Sequence, residues 1–363
     1  MKFTPLSAVA IALLFISSPV SMAAPTSENT LKTNVTRPFT FPAILAGRTA
    51  VPSKLPHVNL SAEKNAMKSN GPLPANVEQK GGMGLNSTTI DLSAASFGIS
   101  RRADVYATAA KVQELKVYTT LSANAYCRSV VPGNEWDCKH CSTDDTLVYT
   151  FDSSKYDTNG YIARNDKLKV INLVFRGTSS LENFVADFEF IAQSYPPVSG
   201  AKVHTGFYKA YLDVQKEVLS NMIEQIAAFP NYQVVASGHS LGGALATLGV
   251  LDLYQRDSRF NAKNLAVRTY GGPRVGNPTF AYYVTGTGID FERTVHKQDI
   301  VPHLPPQSFG FLHPGVEYWI KDGDNVKICG DTLDSEECSN SIVPFTKLTD
   351  HLSYFDINTG LCL

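Results

Sequence analysis

Gly238-His239-Ser240-Leu241-Gly242 is the stretch on which the fold turns. It matches G-x-S-x-G, the pattern of a strand-to-helix turn that lifts a serine above the edge of a sheet. The flanks carry more weight than the pattern. A short apolar strand, Tyr232 to Ser237, precedes it, and an apolar, small-residue helix, Leu241 to Tyr254, follows. So sharp a turn crowds the residues two positions either side of the serine, and Gly238 and Gly242 remove the side chains that would collide. Gly243, Ala244 and Ala246 let the helix approach the sheet closely. The serine opens that helix, where unpaired N–H groups and the dipole favour developing negative charge. A glycine-rich turn with a merely capping serine is the plainer alternative, and the strand-turn-helix context argues against it.

Outward from this elbow, strand and helix patterns alternate. Helices are expected over Ala103 to Leu121, Phe207 to Phe229 and Pro278 to Val284, the second stopped by Pro230. Strands are expected over Leu168 to Phe175, Leu265 to Tyr270, Arg293 to Lys297 and Val316 to Ile320. Such alternation implies an α/β domain with a mainly parallel central sheet; joined to the elbow, the expectation is a single α/β-hydrolase-like domain.

A serine nucleophile needs a base, and the base needs an acid to orient it. On an elbow of this kind the chain order is serine, acid, histidine. Asp299 follows the Arg293 to Lys297 strand, in the loop where an acid at the carboxyl edge of the sheet belongs. Asp252 and Asp257 lie on or just after the elbow helix and point away. Among later histidines, His351 sits late enough to return to the sheet edge, with Cys362 near to pin the tail, although order alone leaves His303 and His313 open. His239 adjoins the nucleophile and is expected to be packed and hydrogen-bonded. One oxyanion donor should be the N–H of Leu241; Thr178, ending Val174-Phe175-Arg176-Gly177-Thr178, can offer N–H and hydroxyl for the second. An ordinary strand-end turn would look the same. Ser179 to Asp187 then carries Leu181, Phe184, Val185 and Ala186, either a surface helix with a core-facing side or a lid over an acyl pocket.

The chain of 363 residues is 43% hydrophobic and 18% charged, which suits a folded enzyme with a large core. A net charge of −1 gives no drive toward nucleic acid. Lys2, an apolar run from Leu6 to Ile16, and Ser21-Met22-Ala23-Ala24 form a signal-peptide pattern; eleven apolar residues are too few to span a bilayer. No later segment is apolar enough to span. The expectation is a signal peptide over 1–23, a propeptide over about 24–95 and a catalytic domain over 96–363. The propeptide stretch is rich in Pro, Ser, Thr, Asn and Lys, lacks a sustained apolar period, and holds the sequons Asn34-Val35-Thr36, Asn59-Leu60-Ser61 and Asn86-Ser87-Thr88. Arg101-Arg102 and the Ser93 to Ser96 region are both options for its cut. Six cysteines in a secreted chain favour three disulfides, with fifteen possible pairings. Cys138-Lys139-His140-Cys141 follows a Pro-Gly-Asn turn and lacks a second ligand pair, so neither a redox nor a zinc motif is expected. No cluster calls for a metal or a cofactor.

Val174-Phe175-Arg176-Gly177-Thr178-Ser179-Ser180, Gly238 to Gly243, Gly272-Pro273-Arg274-Val275-Gly276, Asp299 to Pro306 and Asp350-His351-Leu352-Ser353-Tyr354-Phe355 together resemble the class 3 fungal triacylglycerol lipases. The resemblance runs from about Ala103 to the C-terminus and touches the propeptide at Asn70-Gly71-Pro72-Leu73-Pro74. It implies a secreted enzyme acting on lipid at an oil–water interface, and nothing in the sequence suggests more than a monomer. It implies a Ser240–His351–Asp299 triad, an oxyanion hole of Thr178 and Leu241, and a short lid over Leu181 to Asp187. It also selects the pairs Cys127–Cys362, Cys138–Cys141 and Cys329–Cys338. Two departures stand out. Phe184 replaces a tryptophan that a close member of the family carries in its lid, and Thr178 replaces its serine while keeping the hydroxyl. A feruloyl esterase or phospholipase would keep the same triad, and the apolar lid favours a lipase over both. A non-catalytic lipid-binding scaffold is expected to lack a triad residue, and none is missing here.

Overall fold

The computed structural model describes residues 39–51, 104–186, 188–330 and 332–362. The expected signal peptide, most of the expected propeptide, the sequons at Asn34, Asn59 and Asn86, the 70–74 stretch, both cut options and Asp187 of the expected lid lie outside the described residues.

The strands run in chain order β1 (Val105–Tyr106), β2 (Asp145–Ser153), β3 (Thr158–Asn165), β4 (Val170–Phe175), β5 (Ala192–Ser194), β6 (Lys202–His204), β7 (Gln233–His239), β8 (Leu265–Tyr270), β9 (Asp290–His296), β10 (Val316–Asp322) and β11 (Asn325–Cys329), then β12 (Ser353–Tyr354) and β13 (Ile357–Asn358). Nine of them form one sheet in the order β1-β11-β10-β9-β8-β7-β4-β3-β2. Its centre, β10-β9-β8-β7-β4, is parallel, and both edges are finished by antiparallel strands. The helices are α1 (Ala109–Asn124), α2 (Leu181–Ala186), α3 (Thr205–Ala228), α4 (Leu241–Arg256) and α5 (Pro278–Gly286).

In the parallel centre β4 and β7 are largely apolar and buried, as suits a sheet covered on both faces, whereas β8, β9 and β10 bury charged side chains as pairs, Arg268 with Glu292 at 3.1 Å and Arg293 with Glu317 at 2.7 Å. Period-two alternation divides the side chains between those faces. On β4, Ile171, Leu173 and Phe175 join the main core with α3 and α4. Val174 joins a second cluster with Leu121 of α1. On β8, Val267 faces the main core, while Tyr270 packs with Val112 and Leu115 of α1. The α4 helix is buried almost all round, so its glycines and alanines are packing choices: a Cβ on Gly243 would stand 3.0 Å from Thr269. Disulfides join Cys127 to Cys362, Cys138 to Cys141 and Cys329 to Cys338. Among the described residues no helix is long and apolar enough to cross a membrane.

Candidate active site

Strand β7 ends at His239 and helix α4 begins at Leu241, so Ser240 alone makes the turn. Its backbone sits at φ 58° and ψ −131°, a conformation that L-residues seldom adopt. The turn is held by Ser240 N–H donating to Tyr270 O at 2.9 Å and by the glycines around it. A Cβ on Gly238 would stand 2.3 Å from the Gly242 backbone, and one on Gly242 would stand 2.2 Å from Phe175 O. The bend therefore leaves room for hydrogen alone at both positions.

Asp299 lies in the turn after β9 and His351 in a 3-10 turn, Thr349–His351; both are fully buried. His351 Nδ1 lies 2.7 Å from Asp299 Oδ2. The same oxygen accepts the Tyr354 hydroxyl at 2.5 Å, and Asp299 Oδ1 accepts Val301 N–H at 2.9 Å. With the carboxylate as acceptor, His351 carries its proton on Nδ1, which leaves Nε2 as a base. Ser240 Oγ, His351 Nε2 and Thr178 Oγ1 are buried and make no hydrogen bond. All three residues line one cavity of about 400 Å³, with Tyr126, Leu181, Leu348 and Leu352 among its walls. Buried polar atoms without partners are costly, so three of them facing one cavity mark a place built for a ligand. Leu241 opens α4, and its N–H belongs to the first turn, which has no intrahelical acceptor.

Helix α2 lines part of this cavity through Leu181, Glu182 and Asn183. Val185 is buried, Leu181 and Phe184 pack against the main core, and Glu182 and Asn183 are exposed at the cavity wall. Phe184 meets Phe188 edge-on at 4.8 Å, and Phe188 stacks on His204 at 5.0 Å. The apolar side of α2 thus points inward. Leu352 and Leu361, 41% and 60% exposed, also stand at the cavity wall.

The other candidates lie elsewhere. Asp252 pairs with Arg256 at 2.6 Å and accepts from Tyr211 and Gln215. Asp257 pairs with Arg259 on the surface. His303 contacts Asn340 Oδ1, and His313 contacts Pro302 O; both border a buried cluster in which Arg274 pairs with Asp334 at 2.6 Å. Neither lines the cavity.

Three site residues escape sequence reasoning. Tyr354 fixes Asp299, and its signal was only a tyrosine three positions after His351. Tyr126 has no signal beyond its neighbour Cys127. Its hydroxyl lies 2.9 Å from His239 Nδ1, while His239 Nε2 lies 2.8 Å from His351 O. A carbonyl can only accept, so His239 donates through Nε2 and accepts the Tyr126 hydroxyl at Nδ1. Gly177 packs against that same hydroxyl, where an added Cβ would stand 2.2 Å away. The series ties the Thr178 loop to the backbone of His351. Gly271, at φ +59°, is the third: a Cβ there would meet Asp299 Oδ2 at 2.7 Å.

Burial holds four histidines neutral. It pushes His204 and His303 down to about 4, and His239 and His313 well below the usual 6.5. The unfolded chain therefore binds protons below pH 6.5 that the folded chain refuses until about pH 4, so stability falls as pH falls through that window. Between pH 7 and 5.5 the loss should be about 1 kcal/mol per histidine. Asp334 does not contribute there: burial works against its charge, yet Arg274 and its neighbours hold it well below the carboxylate range. Urea midpoints at the two pH values measure this, and an equal or higher midpoint at pH 5.5 refutes it.

Residues 172–309 match the family described as Lipase (class 3). The chain is 51% identical over 328 residues to a lipase of Rhizomucor miehei, covering 88% of this chain and 89% of that one. Its structure superposes on the Rhizomucor miehei lipase propeptide complex with a TM-score of 0.76 at 48% identity, covering 89% of this chain and all of that one. A further solved structure, described as a serine protease triad forming the catalytic centre of a triacylglycerol lipase, matches with a TM-score of 0.70 at 53% identity, over 72% of this chain and all of that one.

Proposed function

The chain belongs to the class 3 lipase family, and from that premise we propose that Ser240, His351 and Asp299 are its catalytic triad, Thr178 and Leu241 its oxyanion hole, and α2 its lid. As a class 3 lipase it hydrolyses triacylglycerol esters to fatty acids and partial glycerides. The observation that carries the site assignment is the convergence of three unpaired buried atoms, Ser240 Oγ, His351 Nε2 and Thr178 Oγ1, on one cavity.

His351 Nε2 takes the hydroxyl proton as Ser240 Oγ bonds to the ester carbonyl carbon. Asp299 keeps the ring in the required tautomer and balances its charge. The carbonyl oxygen, now anionic, lies against the Leu241 N–H and the Thr178 hydroxyl and N–H. His351 returns the proton to the departing alcohol, and the acyl group stays on Ser240. Water then repeats the sequence and releases the fatty acid. Residues 1–23 serve as a signal peptide and 24–95 as a propeptide, so the enzyme acts outside the cell as a monomer, at an oil–water interface. The three disulfides support secretion.

The inward apolar side of α2 gives the test. The rate on tributyrin, scanned through its solubility limit, should rise abruptly when droplets form, and emulsified triolein should be cut far faster than methyl ferulate. Saturation below the solubility limit, with methyl ferulate preferred, would move the reading to a soluble-ester hydrolase.

A further inference from the structure

The three disulfides stand in different surroundings. Cys329 and Cys338 are both buried, and Cys138 and Cys141 pack against the cluster that holds Leu121 and Val174. Cys127 is buried too, but its partner Cys362 is exposed. A cavity of about 240 Å³ reaches this bridge, and both of its cysteines form part of the wall. Asn124, Lys139, His140 and Asp356 are among the other walls. A disulfide is opened by a thiolate that reaches one of its sulfurs, so access and a neighbouring cation decide which bridge reacts. Cys127–Cys362 has both.

The same bridge joins the two segments that hold the backbone of His351. On one side, Tyr126 adjoins Cys127; its hydroxyl lies 2.9 Å from His239 Nδ1, and His239 Nε2 donates to His351 O at 2.8 Å. On the other side, Thr359 Oγ1 donates to that same carbonyl at 3.2 Å, and Thr359 N–H donates to Leu352 O at 3.0 Å. Gly360 and Leu361 follow, and both line the catalytic cavity, as Tyr126 does. Leu361 belongs to the walls of both cavities. Asn358 Oδ1 accepts Gly360 N–H at 3.1 Å and Leu361 N–H at 2.9 Å, which keeps the tail in a local turn. The disulfide, across 235 residues of sequence, fastens that turn to the loop after α1.

We infer that the cavity beside Cys127–Cys362 is a site of thiol exchange, that it takes small thiols bearing a carboxylate, and that modification of Cys362 there slows catalysis by releasing the tail from His351. The incoming thiolate bonds to Cys362 Sγ as the bond between Cys362 and Cys127 breaks. Cys127 leaves as a thiolate and takes a proton from water. The sulfur of the incoming thiol is thereby oxidised and that of Cys127 reduced. Lys139 draws the carboxylate of the thiol to the cavity wall. The effect on rate rests on the proposed triad; the exchange itself rests on the bridge and its cavity.

The experiment incubates the full chain with millimolar reduced glutathione and quenches samples with acid. Free thiols are alkylated under denaturing conditions and located by peptide mass spectrometry, and the rate on a soluble ester is read at the same times. The first adduct should appear on Cys362 with a free thiol at Cys127, while the other two bridges are intact. The ester rate should fall in step, by about tenfold to a hundredfold, as a small displacement of the base implies. Lys139→Gln should keep the ester rate and slow the exchange about twofold to fivefold, the worth of one exposed charge pair. Cys362→Ser, its fold checked by circular dichroism, should show the lowered rate without glutathione and no further fall with it; if it does not fold, the course of the wild type decides. No adduct, a first adduct elsewhere, an adduct on Cys362 with the full ester rate, or an exchange rate unchanged by Lys139→Gln each overturns the proposal. Full esterase activity in Ser240→Ala would count against the triad alone, because the adduct is read by mass.

Discussion

Ser240→Ala should lower kcat on tributyrin by about 10⁴ to 10⁶ while leaving the protein at least as stable as the wild type. The loss in rate follows from chemistry: without Oγ there is no acyl-enzyme, and water must attack the ester with only the oxyanion donors and binding to help. KM should change little, because the cavity walls, Leu181, Leu348 and Leu352 among them, are untouched. The effect on stability follows from the unpaired hydroxyl. Ser240 Oγ is buried with no hydrogen-bond partner, so its removal relieves an unsatisfied polar atom. The strain at φ 58° remains in alanine, since either residue carries a Cβ. A thermal melt beside an initial-rate assay separates the two effects. More than about 1% residual kcat would mean that another group acts as nucleophile, an outcome far outside what triad variants retain.

The elbow was legible because its chemistry is local. Strand, serine and helix are contiguous, and Gly238 answers a collision with Gly242 close by in sequence, although Gly242 itself is confined by Phe175 O of β4. The parallel centre was legible for a related reason: β4, β7 and β8 are buried on both faces, so their composition alone marks them. The edges were not. β2 carries Asp145, Thr146, Thr150 and Asp152, because it is a half-buried edge strand. β3 contains Asn159, Arg164 and Asn165 yet is buried along nearly its whole length. Its polar side chains find partners that are distant in sequence, as Asn165 does in Asp145. Within the site the same division holds. Position after a strand suggested Asp299, but His351 stood against His303 and His313 until the fold placed those two in the Arg274–Asp334 cluster. Tyr126, Tyr354 and Gly271 act on groups that only tertiary structure brings near.

Gly271→Ala should cut kcat by about a hundredfold or more, although the residue takes no part in the chemistry. A methyl group there would stand 2.7 Å from Asp299 Oδ2 and 2.8 Å from both Cε1 and Nδ1 of His351. These atoms cannot give way cheaply. Asp299 is held by Val301 N–H and Tyr354, His351 is held through its backbone by His239, and both side chains are fully buried. The methyl must therefore push the acid and the base apart or tilt the ring, moving Nε2 away from Ser240. A displacement of about 1 Å at a reacting group is enough for a loss of that size. Backbone strain acts separately, because Gly271 sits at φ +59°, where an L-residue costs about 1–2 kcal/mol. Gly323→Ala distinguishes the two causes. Gly323 has φ +49° and nothing within 4 Å of its Cβ position, so it shares the strain without the collision. It should melt earlier and keep its kcat, whereas Gly271→Ala should melt earlier and lose it. If both variants keep wild-type kcat, the close approach of Gly271 to the Asp299–His351 pair does not set the geometry of the triad.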